Sequence, residues 1–201
     1  MLRCVFLLAL TLASLIFWAQ ERPTYGTLTD GRKVNSLAAP GTKAIALFFV
    51  ATDCPISNRT FPEMKRLREE FASRGVRFWF VYPNKGEQSK LVAQHQAAYD
   101  ADGEALLDVA GTLVQISGAR VTPEVSVLVP GGAAGWRPAY TGPIDNRYVR
   151  IGEERPQATV HFAERALNAM LSGEHVETAT GVTVGCGIMS QAATAAGSSA
   201  R

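Results

Sequence analysis

Apolar and polar positions alternate between two periods along the chain. Residues 44–50 (AIALFFV) and 76–82 (VRFWFVY) are short runs rich in β-formers, the pattern of strands buried on both faces of an α/β sheet. Between them, residues 51–58 read as a turn opening into a helix. There Met64, Leu67 and Phe71 recur at helical spacing, Lys65, Arg66, Arg68, Glu69 and Glu70 take the water face, and Gly75 ends the helix. Pro62 falls inside this helix and predicts a kink. Residues 24–37 alternate around Asp30-Gly31, a two-residue hairpin signal.

Further on, residues 90–99 predict a second helix, 105–109 a short strand, and 111–117 a helical turn. Residues 125–129 and 136–140 predict an antiparallel pair across a turn at 131–135. A closing helix over 159–171 has Val160, Ala163, Leu167 and Met170 as its inner stripe and Gly173 just past its end. The order β-α-β-α-β-(α)-β-β-α after a hairpin predicts a mixed α/β sheet with helices on both faces.

Composition narrows the function classes. The 201 residues are 47% hydrophobic, which suffices for a packed core and excludes wholesale disorder. Twenty Lys and Arg balance eighteen Asp and Glu, and no basic stripe is present, so no nucleic-acid partner is expected. Residues 1–19 carry one positive charge and then an apolar run (CVFLLALTLASLIFWA), the form of an export signal. The third residue from the end of that run is Phe17, where a signal cleaved after Ala19 prefers a small residue, so an uncleaved anchor stays open beside a cleaved signal. Either outcome predicts an extracytoplasmic body, periplasmic or extracellular, with membrane contact only through residues 4–19.

Three cysteines, at 4, 54 and 186, make neither a disulfide framework nor a zinc-finger spacing. Cys54 stands between the buried strand at 44–50 and the first helical turn. The free amides and positive end of that helix favour a thiolate there, and Pro55 suits the first helical position because its missing N–H is not needed. Asp53 opposes the thiolate if it faces the sulfur and caps the helix if it faces outwards.

The central strand, Cys54-Pro55-Ile56-Ser57 at the helix start, Pro62, and Thr122-Pro123 before a strand together resemble the thioredoxin fold. More narrowly they resemble extracytoplasmic redoxin and peroxiredoxin-like domains, the alkyl hydroperoxide reductase/thiol-specific antioxidant family, over about residues 24–172. The resemblance implies that Pro123 is cis and packs beside an active Cys54. Ser57 stands where thioredoxins carry a second cysteine, as in monothiol Cys-x-x-Ser variants, and is expected to donate a hydrogen bond to the thiolate. Peroxiredoxins show Pro-x-x-x-Thr-x-x-Cys, whereas Leu47 and Ala51 occupy the matching positions, and Arg120 is a poor substitute for the peroxide-polarising arginine. The peroxidase reading therefore ranks below disulfide exchange.

Cys186 lies between glycines in the tail, residues 173–201, whose end (QAATAAGSSAR) is low in complexity and expected to be disordered. Two readings stay open: Cys186 resolves a mixed disulfide or sulfenic acid formed at Cys54, or it is a tail thiol that is free or pairs with another chain. No cofactor is implied and no metal centre is predicted, since copper-binding relatives of the fold use a Cys-x-x-x-Cys spacing absent here. His161 is expected to be partly exposed, His95 and His175 solvated. Residues 140–148 are dense in turn formers and read either as a substrate-contact loop or as a loop satisfying its own backbone. The expected site is Cys54, Ser57, Thr122, Pro123 and Cys186. The expected function is exported thiol-disulfide oxidoreduction through a mixed disulfide at Cys54, with a protein or small-molecule disulfide or thiol as substrate and an external thiol as reductant. A hydroperoxide reductase and a non-catalytic binding or structural module are the alternatives.

Overall fold

The computed structural model describes residues 24–101, 103–132, 135–179 and 182–189. The expected leader and the end of the tail lie outside them. A six-stranded sheet forms the centre, in spatial order β1 (Thr27–Leu28), β4 (Glu104–Leu107), β3 (Val76–Tyr82), β2 (Ala44–Phe49), β6 (Glu124–Pro130) and β7 (Trp136–Gly142). β2, β3 and β4 run parallel, while β1, β6 and β7 pair antiparallel to their neighbours.

The continuous apolar character of β2 has a direct consequence. All six residues are buried, and alternate side chains enter different cores. Ala44, Ala46 and Phe48 join Phe61, Met64, Leu67 and Phe71 of α1 (Pro55–Phe71), Val92 of α2 (Ser89–Ala98), and Ala163, Ala166 and Leu167 of α4 (Phe162–Ser172). Ile45, Leu47 and Phe49 face the other way, against Leu113 and Val114 of α3 (Thr112–Ser117) and against Tyr25, Val34 and Leu37. The helices thus lie on both faces, three on one side and α3 on the other.

Several expectations change in detail. The hairpin at the start is a three-residue loop, Thr29 to Gly31, closed by Leu28 N–H donating to the Arg32 carbonyl. Gly31 has φ +87°, so the extra residue is absorbed as a glycine bulge. α1 continues through Pro62 as one helix, and a short 3-10 turn (Ala72–Arg74) separates it from left-handed Gly75. A small hairpin, β8 (Tyr148–Arg150) with β9 (Glu153–Glu154), stands beyond the central sheet.

His95 is buried, not solvated. Its ring spans 2.8 Å contacts to Tyr82 Oη and Asn58 Oδ1, and burial lowers its pKa. Asn58, within an Asn-x-Thr triplet, is therefore engaged inside a helix-to-helix contact.

Candidate active site: a cysteine bridge at the start of a helix

β2 ends under the N-terminus of α1 and delivers Cys54 there as the N-cap residue, in extended conformation. The Cys54 carbonyl accepts the first helical bond, from Asn58 N–H at 3.0 Å. Pro55 has no N–H, so Ile56 and Ser57 supply the first-turn amides that lack intrahelical carbonyls. Cys54 itself is fully buried.

Opposite Cys54 runs β5 (Val121–Thr122), followed by a cis Thr122–Pro123 peptide bond. The Thr122 carbonyl oxygen lies 3.0 Å from Cys54 Sγ. Glu124, nearly fully buried, fixes this segment: its carboxylate accepts from Arg120 N–H at 2.7 Å and Val121 N–H at 3.4 Å. Its other oxygen accepts from the Thr183 hydroxyl at 3.2 Å, which ties the tail to the same anchor.

The tail closes the site. β10 (Cys186–Gly187) pairs antiparallel with β5, Cys186 opposite Thr122 and Gly187 opposite Val121. Cys186 forms a disulfide with Cys54, with their Cα atoms 6.1 Å apart, within the range a bridge requires. This selects between the two readings of Cys186: it is bonded to Cys54. Ile188 is buried in the α3-side core and donates its N–H to the Arg120 carbonyl. Met189 N–H donates to Asn84 Oδ1 at 2.9 Å. Gly185 permits the approach, because a Cβ there would sit 2.5 Å from the Thr122 carbonyl oxygen.

Ser57 and Thr122 are both fully buried, and among the described residues neither hydroxyl has a hydrogen-bond partner. In the disulfide state Ser57 therefore makes no bond to the sulfur. Asp53 is exposed and does not cap the helix. Leu47 and Ala51 are buried apolar residues and Arg120 is exposed, so the hydroxyl and cation of a peroxide pocket are not assembled from these positions.

Two carboxylates near the site carried no local sequence signal. Glu87, in the polar loop after β3, is buried and accepts from Thr52 N–H and the Thr52 hydroxyl, both at 2.9 Å. Burial pushes its carboxyl up, against the two Thr52 bonds. Glu124 reads in sequence as one more strand-end residue, and only the fold reveals the amides it satisfies.

The 140–148 segment largely satisfies itself. Tyr140 Oη donates to the Pro143 carbonyl, Asp145 accepts from Arg147 N–H, and Asn146 Oδ1 accepts from Thr159 and Val160 N–H. It also lines, with Pro123 and Thr183, a cavity of about 220 Å³ beside the site. His161 is part-exposed, as expected, and contacts Glu63 at 2.8 Å. Glu63, His161 and Glu164 have ligand atoms within 4.8 Å of one another, but Arg66 bridges the two carboxylates and supplies their positive charge. No helix of the described residues is long and apolar enough to cross a membrane.

No protein-family model and no curated protein matches the sequence. Solved structures do resemble it. A hypothetical protein from Sinorhizobium meliloti matches with TM-score 0.66 at 21% identity, over 85% of this chain and 96% of that one. An uncharacterized conserved protein from Geobacillus kaustophilus matches with TM-score 0.63 at 19% identity, over 83% and 88%. A thioredoxin-like protein from Porphyromonas gingivalis matches with TM-score 0.51 at 19% identity, over 76% and 90%. At this identity the likeness shows the fold, which is thioredoxin-like.

Proposed function

We propose that this chain is an exported thiol-disulfide oxidoreductase of the redoxin, Cys-x-x-Ser kind, with Cys54 as nucleophile and Cys186 as the resolving cysteine. The observation that carries the reading is the Cys54–Cys186 bridge at the first turn of α1, beside cis-Pro123. In the reduced protein the Cys54 thiolate attacks a substrate disulfide R–S–S–R′, forms Cys54–S–S–R and releases R′–S⁻. The Cys186 thiolate then attacks Cys54 Sγ, closes the bridge and expels R–S⁻. An external thiol reductant restores the dithiol.

Opposing influences act on the thiolate. The first-turn amides and the end of a 17-residue helix favour it, while the Thr122 carbonyl at 3.0 Å opposes it. Ser57 stands three residues along α1 with an unpartnered hydroxyl, and reduction supplies the acceptor it lacks. The extracytoplasmic location rests on residues 1–19 and accords with a bridge that persists in oxidising surroundings.

The full burial of Cys54 favours a second reading, in which the bridge is a structural staple of a binding module. Equilibration against redox buffers separates the two, because structural bridges have potentials below roughly −300 mV. The decisive test compares Cys186→Ser with Cys54→Ser, both of which lack the bridge. Incubated with glutathione disulfide, Cys186→Ser accumulates a mixed disulfide on Cys54, and Cys54→Ser turns over no disulfide. An unmodified Cys54 in Cys186→Ser refutes the oxidoreductase reading.

A further inference from the structure

The two sulfurs of the bridge are not equally reachable. Cys54 is fully buried, covered by β10 and pressed against the Thr122 carbonyl. Cys186 is only half-buried, and it forms part of the wall of a groove of about 310 Å³ to which Cys54 contributes nothing. The other walls come from the first turn of α1, with Pro55 and Ile56, and from the β8–β9 hairpin, with Tyr148 and Ile151. Ile151, at the hairpin tip, is 70% exposed. Arg59 and Glu154 also line the groove and pair at 2.9 Å, and Glu153 in the same wall pairs with Arg150 at 2.7 Å, so each of these charges is offset. The result is an apolar recess with one disulfide sulfur in its wall.

We propose that the reductant is a cysteine-containing peptide segment with an apolar neighbouring side chain, and that its thiolate attacks Cys186 Sγ through this groove. The proposal rests on the oxidoreductase reading above and adds the point of attack and the chemistry of the donor. The incoming R–S⁻ forms a bond to Cys186 Sγ. The Cys54–Cys186 bond breaks, and its electron pair leaves on Cys54 Sγ, beside the free first-turn amides of α1. A second donor thiol then attacks the R sulfur of R–S–S–Cys186, R–S–S–R forms, and Cys186 leaves as a thiolate that takes up a proton. Two donor thiols are oxidised and one protein disulfide is reduced. The apolar neighbour lies against Ile56 and Ile151, and the cysteine sulfur reaches Cys186 between them.

The oxidised full-length protein is mixed with excess reduced glutathione, quenched in acid, alkylated with N-ethylmaleimide and mapped by tryptic mass spectrometry. Early time points are expected to show glutathione on Cys186 and maleimide on Cys54. Glutathione on Cys54, alone or in equal amount, overturns the point of attack and leaves the oxidoreductase reading standing. A bridge that neither glutathione nor dithiothreitol opens in the folded protein overturns both. In parallel, Ile151→Ser is expected to slow reduction by the peptide acetyl-Leu-Cys-amide about fivefold, because serine offers the leucine much less apolar surface to bury, while the redox equilibrium stays unchanged. An unchanged peptide rate overturns the groove as the donor's route.

Discussion

Replacing Gly185 with alanine isolates the contribution of the tail strand to the bridge. A Cβ at this position would stand 2.5 Å from the Thr122 carbonyl oxygen and 2.9 Å from its carbonyl carbon. Both atoms belong to the backbone of β5, so no rotamer change relieves the clash and β10 has to lift. Overpacking of this kind costs about 1–3 kcal/mol. The cost falls on the oxidised form, where the bridge holds the tail down, and is relieved in the reduced form, where β10 can lift off β5 with no covalent bond opposing it. The equilibrium constant for closing the bridge therefore drops by about fivefold to about 150-fold. With about 30 mV per 1.4 kcal/mol for a two-electron couple, the reduction potential rises by about 20–65 mV. The assay equilibrates wild type and variant in graded glutathione redox buffers, quenches in acid and counts alkylated cysteines. Gly187→Ala is the control, because a Cβ there meets nothing within 4 Å and both glycines flank the same cysteine. A Gly185→Ala midpoint equal to wild type would refute the close packing of the tail on β5.

Ser57→Ala is expected to make the Cys54 thiolate of the reduced protein harder to form, because it removes a hydrogen-bond donor to a charged acceptor; the pH dependence of iodoacetamide alkylation reads it, and an unmoved profile removes Ser57 from the site. Asp108 is buried, which pushes its carboxyl up to about 6 against the bonds it accepts from Leu113 and Val114 N–H. The folded state therefore holds a proton that the unfolded chain releases near 4, so stability falls as pH rises from about 4 to about 6, by on the order of 3 kcal/mol. Urea titrations of wild type and Asp108→Asn across that window check the sign, since only wild type carries this component. Glu124→Ala strips the Arg120 and Val121 amides of their acceptor and costs about 2–4 kcal/mol in urea denaturation. A loss below about 1 kcal/mol would mean that water replaces the carboxylate.

The elements that the hydrophobic pattern made legible are those whose partners lie on both faces of one sheet. β3 occupies the residues expected of it, and β2 differs by one residue, because a run of β-formers has nowhere else to be buried. Cys54 was legible for a similar reason, as its neighbours in sequence build the strand end and the helix start. Cys186 was legible as a site candidate but its pairing only as one of the open readings, because its strand pairs with Thr122 across more than sixty residues and is only two residues long. The burial of His95 was hidden in the same way: its partners, Tyr82 and Asn58, come from β3 and α1, and nothing in the polar sequence around it points to either. The hairpin at 24–37 was legible in position but not in type, since Asp30-Gly31 fits a two-residue turn and a three-residue turn with a glycine bulge equally well.

The bridge spans 132 positions, so the oxidised chain is a covalent ring that contains four of the six central strands and all four helices. On a chain-entropy estimate, closing a loop of that length removes freedom from the unfolded chain worth about 5 kcal/mol. Reduction thus opens the ring and softens the whole domain, well beyond the site itself. The order of synthesis adds a second effect. Cys186 follows every strand of the central sheet in sequence, and it is therefore made last. The bridge therefore cannot close before the sequence of the whole central sheet has been made, and it joins the first turn of α1 to a strand that follows every other element of the sheet.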